Sequence, residues 1–175
     1  MSIDTASYRD QTGLPGWNSR SAVPAAMFNP ALVAVTIATA AEQYEEKAGY
    51  PMPWPLAFLV TPLVLHAPTR EALPRNSTTS LAKWVGDNPV LTAGFPDRAR
   101  HLAPYVREGI RYGLREGLFE LIEGEAVHSG AEPKIVPKNA PGDLPVIYRA
   151  AGMVGRMFGR TGTAATIFTA LRVQP

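Results

Sequence analysis

DRARHLAPYVREGIRYGLREGLFELIEGEAVH, residues Asp97 to His128, is the stretch whose reading decides the fold. In its first two-thirds Leu102, Val106 and Ile110 share one face at helical spacing, which predicts a helix over Asp97–Gly117. The last third, LFELIEGEAVH (118–128), alternates instead, and Glu123-Gly124 offers a turn, so a short hairpin is expected there. Gly109, Gly113 and Gly117 fall on the apolar face of the helix at intervals of four. Glycine weakens a helix, so a stripe of this kind implies a backbone packed closely against a neighbour, in this chain or in another.

Upstream, Asn29-Pro30 is a strong helix start, because Asn caps and Pro suits the first turn. Leu32, Val33, Ile37, Ala40, Ala41 and Tyr44 then recur at helical spacing up to Gly49, a stop signal. Pro55–His66 is apolar on all sides; its length and two prolines favour a buried helix over a strand. From residue 67 the chain reads as a turn, and the cluster Ser77, Thr78 and Thr79 offers caps for a short helix through Trp84. Residues 1–28, rich in Ser, Gly and Pro, read as a flexible arm that orders on a partner.

Downstream, PKIVPK (133–138) can add a third strand. Gly142-Asp143 opens a helix with Pro145 in its first turn, ending near Gly159; GRTGT (159–163) turns the chain into a last short helix over Ala164–Arg172. The expected fold is mainly α (α+β): a flexible arm over 1–28, then a single helical domain over 29–175 with a hairpin near 118–138. A winged-helix-like arrangement is one form such a domain can take.

Hydrophobic residues make up 46% of the 175, enough to fill one core. No cysteine is present, which excludes disulfides and thiol chemistry and fits a reducing cytoplasm. The N-terminus MSIDTASYRDQ lacks a basic start followed by an apolar run, so no secretory signal is expected; the most apolar window, Trp54–Leu65, is too short to span a bilayer. The net charge is +2, yet Lys134–Pro175 alone carries +5, from six basic residues and Asp143. A basic third of this kind suits nucleic acid, an acidic protein face, or a solvated surface.

A search for chemistry finds little. His66, His101 and His128 lie far apart and outside any metal-ligand spacing. No serine occupies a GxSxG elbow. Glycines before a helix can cradle phosphate, but GRTGT lacks the lysine of a P-loop, and Thr163 suffices there as a helix cap. No metal and no cofactor are expected, and an enzyme is the least favoured reading. On the helix opened by Gly142-Asp143, Ile147, Ala150, Ala151, Val154, Met157 and Phe158 gather on one face. Arg149, Arg156 and Arg160 line the other side, where they can meet solvent, DNA or an acidic partner. Arg70 and Arg75 flank a compact polar stretch after the apolar segment, a placement that often carries function.

FNPALVA (28–34), PLAFLVTPLVLHAPTREALPR (55–75), TSLAKWVGDNP (79–89) and MFGRTGTAATIFTALRVQP (157–175) together resemble the middle component of bacterial three-component ABC-ATPase systems, conflict systems of the Lamassu type. The resemblance leaves only the N-terminal arm uncovered. It implies a non-catalytic subunit that bridges or regulates an SMC-like ABC ATPase and an effector, often a nuclease, with DNA reached through the complex and no membrane involved. It also implies an interface built from the motif itself: Pro68, Thr69, Arg70, Glu71, Leu73, Pro74, Arg75, Thr79, Ser80 and Trp84, of which Leu73 and Trp84 can instead be core. Arginines suit such an interface because they pair bidentately with carboxylates. The alternative is a free-standing winged-helix DNA-binding regulator, supported by the basic C-terminal third and its final helices.

Overall fold

In the computed structural model, residues 13–76, 78–123, 126–128 and 142–174 are described. Asn29 accepts a hydrogen bond from the Ala31 amide, Pro30 fills the first turn, and helix α2 runs over Pro30–Ala48. It follows a short α1 over Ala22–Met27. Gly49, at φ +82°, ends α2 in the left-handed conformation that glycine adopts without a Cβ penalty. The apolar segment is a helix as expected: a 3-10 turn at Trp54–Leu56 leads into α3, Ala57–Leu65. Almost all of α3 is buried, including Pro62. That proline removes one helical hydrogen bond, a cost that burial of the surrounding apolar side chains outweighs.

Where a turn was expected after His66, the chain forms another short helix, α4, Ala67–Glu71. His66 is extended, which breaks the path of α3, and Pro68 fits the first turn of the new helix. Ser80, next to the expected Ser/Thr cluster, caps α5 (Leu81–Asp87) by accepting from the Lys83 amide. After α6 (Pro89–Ala93) comes α7, Phe95–Arg115. It stops two residues before Gly117, because Gly117 turns left-handed at φ +67° and the Leu118 amide folds back onto the Gly113 carbonyl at 2.9 Å.

The hairpin forms as read. Strand β2 (Glu120–Ile122) pairs antiparallel with β3 (Ala126–His128), Leu121 opposite Val127. A third strand does pair with it, but from an unexpected place: β1, Met52–Pro53, lies against the other edge of β3, giving the order β1-β3-β2. The strand expected at 133–138 lies outside the described residues. The chain closes with α8 (Leu144–Thr161) and α9 (Ala164–Ala170), the latter capped by Thr163. The fold is mainly helical with one small antiparallel sheet. Along the chain a helix, a strand and further helices precede a hairpin whose second strand pairs with that first strand, with α7 leading into the hairpin.

Helix α2 is the centre of the packing, with α8 along one flank and α7 along the other; α3 packs against all three. The α2–α8 contact is made at backbone distance. A Cβ on Gly155 would lie 2.2 Å from the Ala40 carbonyl oxygen, and one on Gly159 would lie 2.8 Å from that of Tyr44. Tyr44, Phe95, Phe119 and Phe158 are fully buried in the core. Tyr44 keeps a polar partner, the Tyr50 hydroxyl at 3.2 Å, and burial raises its pKa. The His128 imidazole, 2.9 Å from the Glu45 carboxylate, ties the sheet to α2.

The N-terminal arm needs correction over its described part. Arg20 donates two hydrogen bonds to the Glu108 carboxylate of α7, at 2.7 and 2.8 Å, with only 5% of its side chain exposed. Phe28 stacks on Tyr105 with ring centroids 4.7 Å apart. A bidentate ion pair of this kind fixes orientation as well as distance, so residues 20–28 belong to the domain.

Candidate partner-binding surfaces

The motif around Arg70 is a fastening before it is a surface. Arg70 is buried; its guanidinium donates to the Val64 carbonyl at 3.0 Å and to the Asp143 carboxylate at 3.0 Å. This joins the end of α3 to the start of α8. Thr69, fully buried, accepts from Arg98 of α7 at 3.3 Å, and Arg98 also donates to the Leu91 carbonyl of α6. The Thr69 hydroxyl also hydrogen-bonds His66 Nδ1 at 2.7 Å. Burial, then Arg98, then Arg70 hold the His66 pKa below its ordinary value, in keeping with a neutral imidazole. Trp84 is buried and donates its indole N–H to the Ala72 carbonyl at 2.8 Å.

The expected interface residues therefore divide. Thr69, Arg70 and Trp84 are committed inside the chain, and Leu73, Pro74 and Thr79 are half-buried. Pro68, Glu71, Arg75 and Ser80 are exposed and remain open to a partner. Sequence reasoning picked out Arg70 for its charge. It could not see that Asp143 and the Val64 carbonyl converge on it.

The expected arginine stripe on α8 divides too. Ile147, Ala150, Ala151, Val154, Met157 and Phe158 are buried as read, but so are Gly152, Met153 and Gly155. Helix α8 is thus a core element along most of its length. Arg149 and Arg160 are exposed, whereas Arg156 is half-buried and donates to Gln43 of α2.

A surface that sequence reasoning missed lies where α3, α7 and the segment after α9 meet. Here a groove of about 750 Å³ has an aromatic floor of Trp54, Phe58 and Phe168 and a rim of Arg100, Arg107 and Arg172. Trp54 and Phe58 meet edge to face at 5.8 Å, and the Arg107 guanidinium lies over the Phe58 ring at 5.9 Å. Trp54 is 38% exposed, a high value for so apolar a side chain. No carboxylate is among the described lining residues, although Arg100 pairs with nearby Asp97 at 2.6 Å. The only advance signal was the run of apolar residues at 54–59, which was read wholly as core.

Among the described residues, no group of three His, Cys, Asp or Glu side chains converges as metal ligands would, and no helix is long and apolar enough to cross a membrane. No curated protein and no solved structure matched the chain. A family match covers residues 17–175, which takes in the whole helical core, the sheet and the residues fastened by Arg20. On that match the chain belongs to the family described as ABC-three component (ABC-3C) system Middle Component 3.

Proposed function

We propose that this chain is a non-catalytic adaptor or regulatory subunit, bridging an SMC-like ABC ATPase and an effector protein in antiphage or antiplasmid defence in the cytoplasm. The family match over residues 17–175 carries the reading, because it assigns nearly the whole chain to one component of a multi-component ABC system. The fold supports it: one core occupies the described residues, so a function must be exercised from its surface, and that surface offers an apolar groove edged with arginines. Affinity purification of the chain from its native operon tests the proposal. An ABC ATPase and a second, variable subunit should co-purify, while the chain alone should neither hydrolyse ATP nor cleave nucleic acid. Capture of neither subunit refutes the adaptor reading. So does turnover by the pure chain that a point substitution abolishes.

A second reading, a free-standing winged-helix DNA-binding regulator, is favoured by one observation: α7 precedes the hairpin in the sheet order β1-β3-β2. That reading requires protection of a palindromic site upstream of the chain's own gene by the chain alone.

A further inference from the structure

The groove between α3, α7 and the segment after α9 combines two properties seldom found together on a surface without a partner. Its floor is aromatic, with Trp54 exposed, Phe58 half-buried and Phe168 buried, and its rim carries three guanidinium groups. Aromatic and arginine side chains are the types that dominate the binding energy of protein interfaces. A pocket with an apolar floor and a cationic rim complements a segment that presents one large apolar side chain among carboxylates.

The backbone supplies an independent observation. Arg172 has φ +56°, in the left-handed region, just after α9. The Val173 amide folds back there onto the Phe168 carbonyl at 3.0 Å, the helix stop for which glycine is the favoured residue. A side chain in this conformation is strained, and positions of this kind cluster at ligand clamps and switch regions. The Arg172 side chain lines the groove.

We propose that this groove is the docking site for an acidic segment of a partner protein, with an aromatic or large aliphatic side chain seated on Trp54, Phe58 and Phe168 and its carboxylates held by Arg107 and Arg172. The identity of the occupant as a partner subunit rests on the adaptor reading. Nucleic acid, the other polyanion that such a rim could hold, uses aromatic floors by stacking bases on open ring faces; here the Arg107 guanidinium already lies over the Phe58 ring and Phe168 is buried, which leaves Trp54 alone for stacking.

Arg172→Gly separates the fold from the contact, because glycine suits the backbone that arginine strains. The full-length variant should melt at or above the wild-type temperature. Its capture of the co-expressed ATPase or effector subunit should nevertheless fall by about tenfold, the loss expected of one interface hot spot. Trp54→Ala should lower capture of the same subunit to a similar degree. Short overlapping peptides tiled across that subunit, bound to the isolated wild-type chain, should select segments that are net negative and contain Phe, Trp, Tyr or Leu. If wild type captures its partners and both variants do so equally well, the groove is not the docking site and the adaptor reading stands. If wild type captures neither subunit, the adaptor reading falls and takes this occupant with it. Selection of neutral or basic peptides overturns the chemistry proposed. So does unchanged capture with lost binding of a labelled single-stranded DNA oligonucleotide, which would assign the groove to nucleic acid.

Discussion

Helices α7 and α8 both pass alongside α2 and both carry repeated glycines, yet the two sets do different things. On α7 the glycines look like a stripe in sequence, but a Cβ on Gly109 would meet the Val33 side chain at 2.4 Å, one on Gly113 would meet the Phe119 ring, and Gly117 has open space around it and only ends the helix. On α8, Gly155 and Gly159 face the carbonyl oxygens of Ala40 and Tyr44. An aromatic ring such as that of Phe119 can swing to admit a methyl group, whereas a helix backbone held by its own hydrogen bonds cannot; Gly109 falls between the two, because the Val33 Cβ lies 2.7 Å away and moves only with its backbone. A glycine's importance therefore depends on the atom opposite it, which its spacing does not report.

The comparison can be broken by substitution. Gly155→Ala should have the largest effect, about 3 kcal/mol or more of destabilisation, because α8 must move away from α2 to admit the methyl group. A thermal melt should fall by roughly 6 °C or more. Ala40→Gly should not rescue it, since the clashing carbonyl remains. A Gly155→Ala variant that melts like wild type would mean that α2 and α8 lie farther apart than described here.

Gly109→Ala should cost less, about 1–2 kcal/mol, the gain in helix propensity offsetting part of the clash. Here rescue is expected. Combined with Val33→Gly, which removes both the Cγ1 and the Cβ that the new methyl group meets, the loss should be smaller than the sum of the two single losses by about 1 kcal/mol. Strict additivity in a denaturant-monitored double-mutant cycle would show that Val33 is not what opposes the methyl group and would erase the contrast with α8. The smallest effect belongs to Gly117→Ala, about 1 kcal/mol, because no atom lies within 4 Å of the new methyl group and only left-handed backbone strain opposes it. A neutral result would place Gly117 in an ordinary helical conformation.

Local signals were legible in the sequence, and signals that depend on distant partners were not. Asn29-Pro30 and Thr163 announce helices because a cap acts on amides two or three residues away. The hairpin was legible from its alternation and turn. Strand β1 was not, because Met52 and Pro53 become a strand only by lying against Val127 and Ala126. The family motif was legible as a motif, but its division into fastening and surface depends on Asp143 and Arg98, which sequence does not place beside it. The groove was illegible for the same reason: its floor and rim come from three separate stretches of chain.

The pairing of α2 with α8 also sets the order in which the protein can be completed. Helix α2 is synthesised well before α8, with α3 to α7 and the hairpin between them. Until α8 leaves the ribosome, the face of α2 that includes Ala40 and Ala41 has no cover, and the β1–β3 pairing likewise waits for a distant segment. Contacts so remote along the chain slow folding and prolong exposure of apolar surface. Nascent chains halted before α8 should therefore be substrates for chaperones, and the native fold should appear in one step once α8 has emerged.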